Sequence, residues 1–250
     1  MKNILFIIPH PDDEIVGSCL MIRNFLISGK RIVIFFLTNG VLSKESMWPW
    51  KKKKYEQLLT LRKKEMTESV NFLGVDDFLF QNIPTRTLKD KISETYFKIK
   101  KTIISKQIDT IFCPTYEGGH QDHDVANFIC SRLKKFCKVF EFSEYNFFGN
   151  KINSNVFIKK TENQKCIVLS ENDKLYKSEG LKLYNSEKGN LGYISLNQEC
   201  YRPLENYDYS KPPHKGVLFY RRFSFFSYHP RVDGDRPELV CDKLIKSKIY

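Results

Sequence analysis

Two short stretches concentrate the side chains that can do chemistry: Pro9-His10-Pro11-Asp12-Asp13-Glu14 and Gly118-Gly119-His120-Gln121-Asp122-His123. In the first, an imidazole and a carboxylate three residues apart, His10 and Asp13, can turn toward one point. Zinc takes such nitrogen and oxygen ligands at about 2.0–2.2 Å. Pro9 and Pro11 restrict the backbone around His10 and lower the entropy lost when a metal binds. In the second stretch, two of the chain's five histidines fall within four residues. His123 would project from a helix start and His120 from the loop before it, so the two can do different jobs. Asp122 can accept a hydrogen bond from one imidazole and fix its tautomer. The plainer alternatives are helix capping by Asp12 or Asp13, a first-turn role for Glu14, and a solvated loop around His120. The capping and loop readings weaken when both clusters follow buried strands; Glu14 keeps its structural reading.

The elements around these clusters alternate. Apolar runs at 2–8, 31–37 and 108–113 read as buried strands, with shorter strands near 77–80 and 138–142. Helices are expected at 14–28, 52–73, 90–105, about 123–137 and 171–187, with Gly29 and Gly74 as stops. Continuous apolar strands alternating with helices imply an α/β, Rossmann-like, mostly parallel sheet covered on both faces. In the doubly wound order 3-2-1-4-5, strands 1 and 4 are neighbours at the switch point where ligands bind. The first cluster ends strand 1 and the second ends strand 4, so residues about 110 apart would face each other across one crevice. Beyond residue 143 the pattern loosens, with a strand-like run at 217–226. No linker appears, so 1–250 reads as one domain: a core over 1–143 and a smaller mixed C-terminal subregion, 144–250, walling a cleft.

Composition narrows the partners. The net charge of +12 suits an anionic substrate, nucleic acid or a membrane surface, but the lysines are scattered and no nucleic-acid motif accompanies them. The densest run, Lys51–Lys54, reads as a solvated helix start. The Ile4–Ile8 run is too short for a signal peptide or a span, and no later stretch could cross a bilayer. Seven cysteines, an odd number without a CxxC pair, suit reduced thiols in a cytoplasmic protein.

The PHPDDE and GGHQDH stretches, in this order and context, resemble the PIG-L/LmbE family of zinc-dependent N-deacetylases. Leu37-Thr38-Asn39-Gly40, Arg62 with Glu65, and Leu73-Gly74 extend the resemblance over about residues 1–140. Lys182-Leu183-Tyr184-Asn185-Ser186 and Glu199-Cys200-Tyr201-Arg202-Pro203 resemble later family segments. Pro9 departs from the alanine often found there. The resemblance implies removal of an N-acetyl group from an amino sugar or its conjugate, nucleotide- or lipid-linked. It implies zinc held by His10, Asp13 and His123; two nitrogens and an oxygen would also suit Fe2+ or Co2+. It implies Asp12 as general base, His120 as the group that stabilises the oxyanion or protonates the leaving amine, and Asp122 as the partner orienting His120.

Arg62 falls on the apolar face of its helix, where a guanidinium needs an anion: a substrate group, or Glu65 one turn on. Arg202, Tyr207, Tyr209, Tyr220, Arg221 and Arg222 could stack on sugars or clamp phosphates, or serve the core and a basic edge. His214 and His229 read as surface residues. Two other functions compete: metal-dependent phosphoester hydrolysis, which usually needs two metals and more ligands, and a non-catalytic binding protein on the same fold, for which a second carboxylate beside Asp13 is superfluous.

Overall fold

The computed structural model describes every residue except 227, 230, 231, 248 and 250. The first half alternates as expected: β1 (Asn3–Ile8), α1 (Asp13–Ile27), β2 (Arg31–Phe36), α2 (Tyr55–Leu73), β3 (Asp77–Phe80), α3 (Ile92–Ser105), β4 (Thr110–Pro114), α4 (Gln121–Ser131) and β5 (Lys138–Phe142). These five strands are parallel, in the order β3-β2-β1-β4-β5. Each side of β1 packs into a separate apolar layer. Ile4, Phe6 and Ile8 meet α1 and α2, while Leu5 and Ile7 join the layer built on α3 and α4. Burial on both faces is why these strands read as unbroken apolar runs.

The rest of the chain extends this sheet. After a small hairpin, β6 (Tyr145–Asn146) and β7 (Asn153–Ser154), come β8 (Lys165–Val168), α5 (Glu171–Lys182) and β9 (Gln198–Pro203). Strand β9 pairs antiparallel with β5, and β8 with β9, giving seven strands. A last helix, α6 (Pro237–Lys246), packs Val240 and Leu244 into the α3/α4 layer. Among the described residues no helix is long and apolar enough to cross a membrane.

Several expectations differ from what forms. The run 217–226 is not a strand but two 3-10 turns, Phe219–Arg221 and Ser224–Phe226. Leu218, Phe219 and Tyr220 are buried in succession, which a strand's alternating faces do not allow on a one-sided surface. The helix expected to 137 stops at Ser131, and that expected to 187 stops at Lys182. The thiols are not all reduced: Cys166 and Cys200 form a disulfide. They sit opposite each other on β8 and β9, a register that spacing in sequence does not reveal. Five cysteines stay free, four of them buried.

The later elements also grip α1. Lys177 of α5 and Glu199 of β9 are fully buried and pair at 2.8 Å. Lys177 donates to the Val16 carbonyl, while Glu199 accepts from the Leu20 and Met21 N–H groups. The pair therefore reaches into the backbone of the helix whose first turn carries Asp13. Removing one partner leaves a buried, uncompensated charge, which costs about 3–5 kcal/mol. Lys177→Met should lower unfolding stability by about that amount in a urea titration. An unchanged midpoint would show that the pair does not anchor α1.

Candidate metal and catalytic site

Strands β1 and β4 are neighbours, so the turns that follow them share one crevice. Three ligand atoms converge there. His10 Nδ1 lies 3.0 Å from Asp13 Oδ2, His123 Nε2 lies 3.1 Å from the same oxygen, and the two nitrogens are 3.2 Å apart. All three residues are buried.

The outward nitrogens decide what the inward ones offer. His10 Nε2 lies 3.0 Å from Asp122 Oδ2, and His123 Nδ1 lies 2.7 Å from Glu144 Oε2. A proton held on each outward nitrogen leaves a lone pair on each inward one. Two lone pairs and a carboxylate oxygen then point at one another, an arrangement that only a cation relieves. A triangle with edges of 3.0–3.2 Å has its corners about 1.8 Å from its centre. Ligand atoms at these separations fit around one ion at zinc's ~2.0–2.2 Å bond lengths, so the three residues suit a divalent metal. With no ion bound, burial disfavours the imidazolium of His10, but Asp13 and Asp122 outweigh it and raise the ring to about 9. His123 is raised in the same way, against burial, by Asp13 and Glu144. Burial also opposes ionisation of Asp13, yet the facing imidazoles hold it well below the usual carboxylate range.

Asp122 serves His10 more directly than His120. Its carboxylate accepts from His10, from Thr85 Oγ1 at 3.1 Å, from Arg86 N at 2.7 Å and from Leu88 N at 3.3 Å. It stands 3.6 Å from His120 Nδ1, beyond a hydrogen bond. His120 is instead the N-cap of α4, and its Nδ1 accepts from the Asp122 backbone N–H at 3.1 Å. That bond places the proton of a neutral His120 on Nε2. Burial, then the neighbouring His10, push its pKa well below normal, so the ring stays neutral.

Asp12 is the strained residue of the site. It precedes α1 with φ 125° and ψ −31°, a conformation that L residues adopt only when their surroundings impose it. Arg62 imposes it from outside: its Nη2 donates to the Pro11 carbonyl and to Asp12 Oδ2, the latter at 3.2 Å. Glu14 imposes it from inside, accepting the Asp12 N–H at 3.0 Å while Ser69 and Tyr184 hydroxyls hold its other oxygen. Burial raises Asp12's pKa well above normal, and Arg62 only partly offsets this. Arg62 also bonds Ser186 Oγ at 3.1 Å and lies 3.5 Å from Glu65, so its anions are supplied by the protein itself.

Glu144 was not singled out from the sequence. Its position just past β5, beside the switch point, was the available signal. It approaches because Gly17 lacks a side chain: a Cβ there would stand 2.6 Å from Glu144 Cγ. Gly119 likewise lets the Tyr145 carbonyl pass. Tyr145 stands 5.4 Å from the His123 ring and packs with Tyr193 and Phe219, at 5.4 and 4.6 Å, to wall the crevice. The crevice encloses ≈ 790 Å³ and is lined by His10, Asp12, Asp13 and His120 at one end.

The C-terminal candidates divide. Arg202 and Tyr207 are both tied to Glu141 at 2.7 Å, and Tyr209 is tied to Asn127 at 2.6 Å, away from the crevice. Arg221 donates to the Asp233 carbonyl, and His214 rests on Lys215 O. Tyr220, Arg222 and His229 line the crevice. His229, expected at the surface, meets the Trp48 ring edge-on at 6.1 Å.

Solved structures share this architecture at low identity. A deacetylase of teicoplanin biosynthesis superposes with a TM-score of 0.65 at 13% identity, covering 83% of this chain and 99% of that one. The N,N'-diacetylchitobiose deacetylase of Pyrococcus horikoshii gives 0.57 at 19%, covering 85% and 84%. GalB, the 4-carboxy-2-hydroxymuconate hydratase of Pseudomonas putida KT2440, gives 0.59 at 13%, covering 83% and 98%. At these identities the likeness establishes the fold. No curated protein matches the sequence. The model of the PIG-L family, GlcNAc-PI de-N-acetylase, matches residues 5–134, more than half of the chain and spanning both clusters. The chain therefore belongs to the PIG-L family.

Proposed function

We propose that this protein is a metal-dependent N-deacetylase, hydrolysing the acetamide of an amino sugar or sugar conjugate to acetate and a free amine. The observation that carries the reading is the triangle of His10 Nδ1, Asp13 Oδ2 and His123 Nε2, each imidazole backed by its own carboxylate. Zinc, Fe2+ or Co2+ suits such a set. When bound, a divalent ion would polarise the acetyl carbonyl and make water acidic enough to ionise near neutral pH.

The protein's own groups do the rest. Asp12 lines the crevice next to Asp13 without joining the triangle, and its carboxylate takes the proton of the attacking water. His120 Nε2–H donates to the carbonyl oxygen as it gains negative charge, and the proton taken up by Asp12 passes to the amine nitrogen as the C–N bond breaks. Asp122 and Glu144 hold the tautomers of His10 and His123. Arg62 positions Asp12 through the bonds described above. The aromatic wall of Tyr145, Tyr193 and Phe219 offers a stacking face for a sugar ring. GalB shows that the fold also carries a hydratase, so the choice of amide hydrolysis rests on the family and on these groups. The phosphoester reading is disfavoured because, among the described residues, the other candidate ligand set, His10 with His120 and Asp122, reuses His10 and offers no independent second metal.

Acetate release from N-acetylhexosamines and their conjugates, with and without a chelator, tests the reading directly. Activity on every substrate that is indifferent to chelation would overturn it. His123→Ala and Asp13→Ala should empty the site, read by elemental analysis of the purified variants; full metal content would remove those residues as ligands. Asp12→Asn should keep the metal and lose about 10²–10⁴-fold in kcat, and undiminished turnover would remove Asp12 as base. Glu144→Ala should weaken metal affinity by about 10–100-fold in a competition titration. Wild-type affinity there would mean Glu144 does not support His123.

A further inference from the structure

The geometry points to Arg222 as the anion-binding group of the substrate crevice, so that the N-acetyl sugar taken here carries a phosphate beyond its ring. This rests on the deacetylase reading and deepens it.

Three arginines line the crevice, and two have carboxylates. Arg62 faces Asp12 and Glu65, and Arg86 faces Asp233 at 4.0 Å. Arg222 has no carboxylate within ion-pair distance among the described residues. Its guanidinium lies over Phe219, 3.5 Å from the ring centroid, and 4.7 Å from that of Phe223. Its Nη1 donates to the Phe219 carbonyl at 2.8 Å, within its own turn. Two rings and one backbone bond thus hold the plane of a cation whose remaining N–H groups have no acceptor among the described residues. Burial lowers its pKa, and the neighbouring Tyr193 and Tyr145 only partly offset this. A planar, preoriented guanidinium suits two oxygens of one phosphate.

Its place fits a conjugate. Tyr145 packs on His123, Phe219 packs on Tyr145, and Arg222 packs on Phe219. A sugar lying on this wall, its acetamide at His10 and Asp12, would extend its far substituent toward Arg222. The crevice volume of ≈ 790 Å³ leaves room for more than a bare hexosamine. No lysine lines it, so Arg222 alone supplies uncommitted positive charge among the described lining residues.

The test compares N-acetylglucosamine, N-acetylglucosamine 1-phosphate, UDP-N-acetylglucosamine and an octyl phosphodiester of N-acetylglucosamine. Binding is read by calorimetry and acetate release by kcat/KM, on the full chain. The wild type should favour at least one phosphorylated sugar over the neutral one by about tenfold to a hundredfold, the range expected for hydrogen bonds to a charged group. Arg222→Met should erase that ratio, whatever happens to the neutral sugar's own constants. Arg222→Lys, which keeps the charge but loses the fork, should retain part of it. The nucleotide and octyl arms tell whether the phosphate comes from a nucleotide or a lipid-like conjugate. Equal binding of neutral and phosphorylated sugars by the wild type, or a ratio unmoved by both variants, overturns the assignment. Phosphate-selective binding without acetate release from any sugar would instead keep Arg222 and overturn the deacetylase reading.

Discussion

Two imidazoles can present lone pairs to one point only if something else holds their protons. Asp122 does this for His10 through a hydrogen bond, and Glu144 stands 2.7 Å from His123 Nδ1 as its charge partner. Each carboxylate comes from a different segment than the histidine it serves: Asp122 opens α4, whereas His10 ends β1, and Glu144 follows β5, whereas His123 lies on α4. The site is therefore a property of the sheet order. If β1 did not lie between β2 and β4, with β5 next, the triangle would have neither its corners nor its supports. The same order places Thr85, Arg86 and Leu88 against Asp122, which fills its oxygens and fixes its plane.

A second constraint acts on Asp12. A backbone at φ 125° costs on the order of 1–3 kcal/mol for a residue with a side chain. The surrounding structure spends three buried polar groups, Arg62, Glu14 and Tyr184, to maintain it. A metal-binding scaffold would gain nothing from that arrangement, because Asp12 is outside the triangle. A carboxylate that must face the crevice beside a ligand, without becoming one, would gain a fixed direction. Of the two anions the sequence offered Arg62, a substrate group or Glu65, the fold supplies Glu65. That pairing keeps Arg62 in place to act on Asp12.

Much of this was legible before the fold was known, for identifiable reasons. The apolar runs of β1, β2 and β4 are buried on both faces, so their strands show as uninterrupted hydrophobic segments, and their order follows from the alternation with helices. Both clusters sit in local sequence at strand ends, where α/β folds bind ligands. The rest depends on distance in sequence. Glu144 is one acid among many until β5 is placed beside β4. The carboxylate of Asp122 goes to His10, more than a hundred residues away, instead of to His120 two residues back, because the cap geometry of α4 gives His120 a backbone N–H instead. Cys166 and Cys200 look unpaired until β8 and β9 are brought into register. Helix α6 did carry a local signal, Pro237 at its start with Val240, Cys241 and Leu244 at helical spacing, which the aromatic and arginine-rich surroundings obscured.

The region past β5 does more than cover one side. Through Lys177 and Glu199 it fixes the middle of α1, and through Tyr184 it reaches Glu14 in that helix's first turn. Through Tyr145, Tyr193, Phe219 and Arg222 it builds the opposite wall of the crevice. One set of contacts steadies the reacting groups from behind; the other shapes what can reach them. The wall is joined to the second catalytic turn: the Phe219 N–H donates to the Gly118 carbonyl at 2.9 Å, and Tyr145 packs on His123. Under the reading proposed above, selection among conjugates would fall to this wall, on which Phe219 and Arg222 sit.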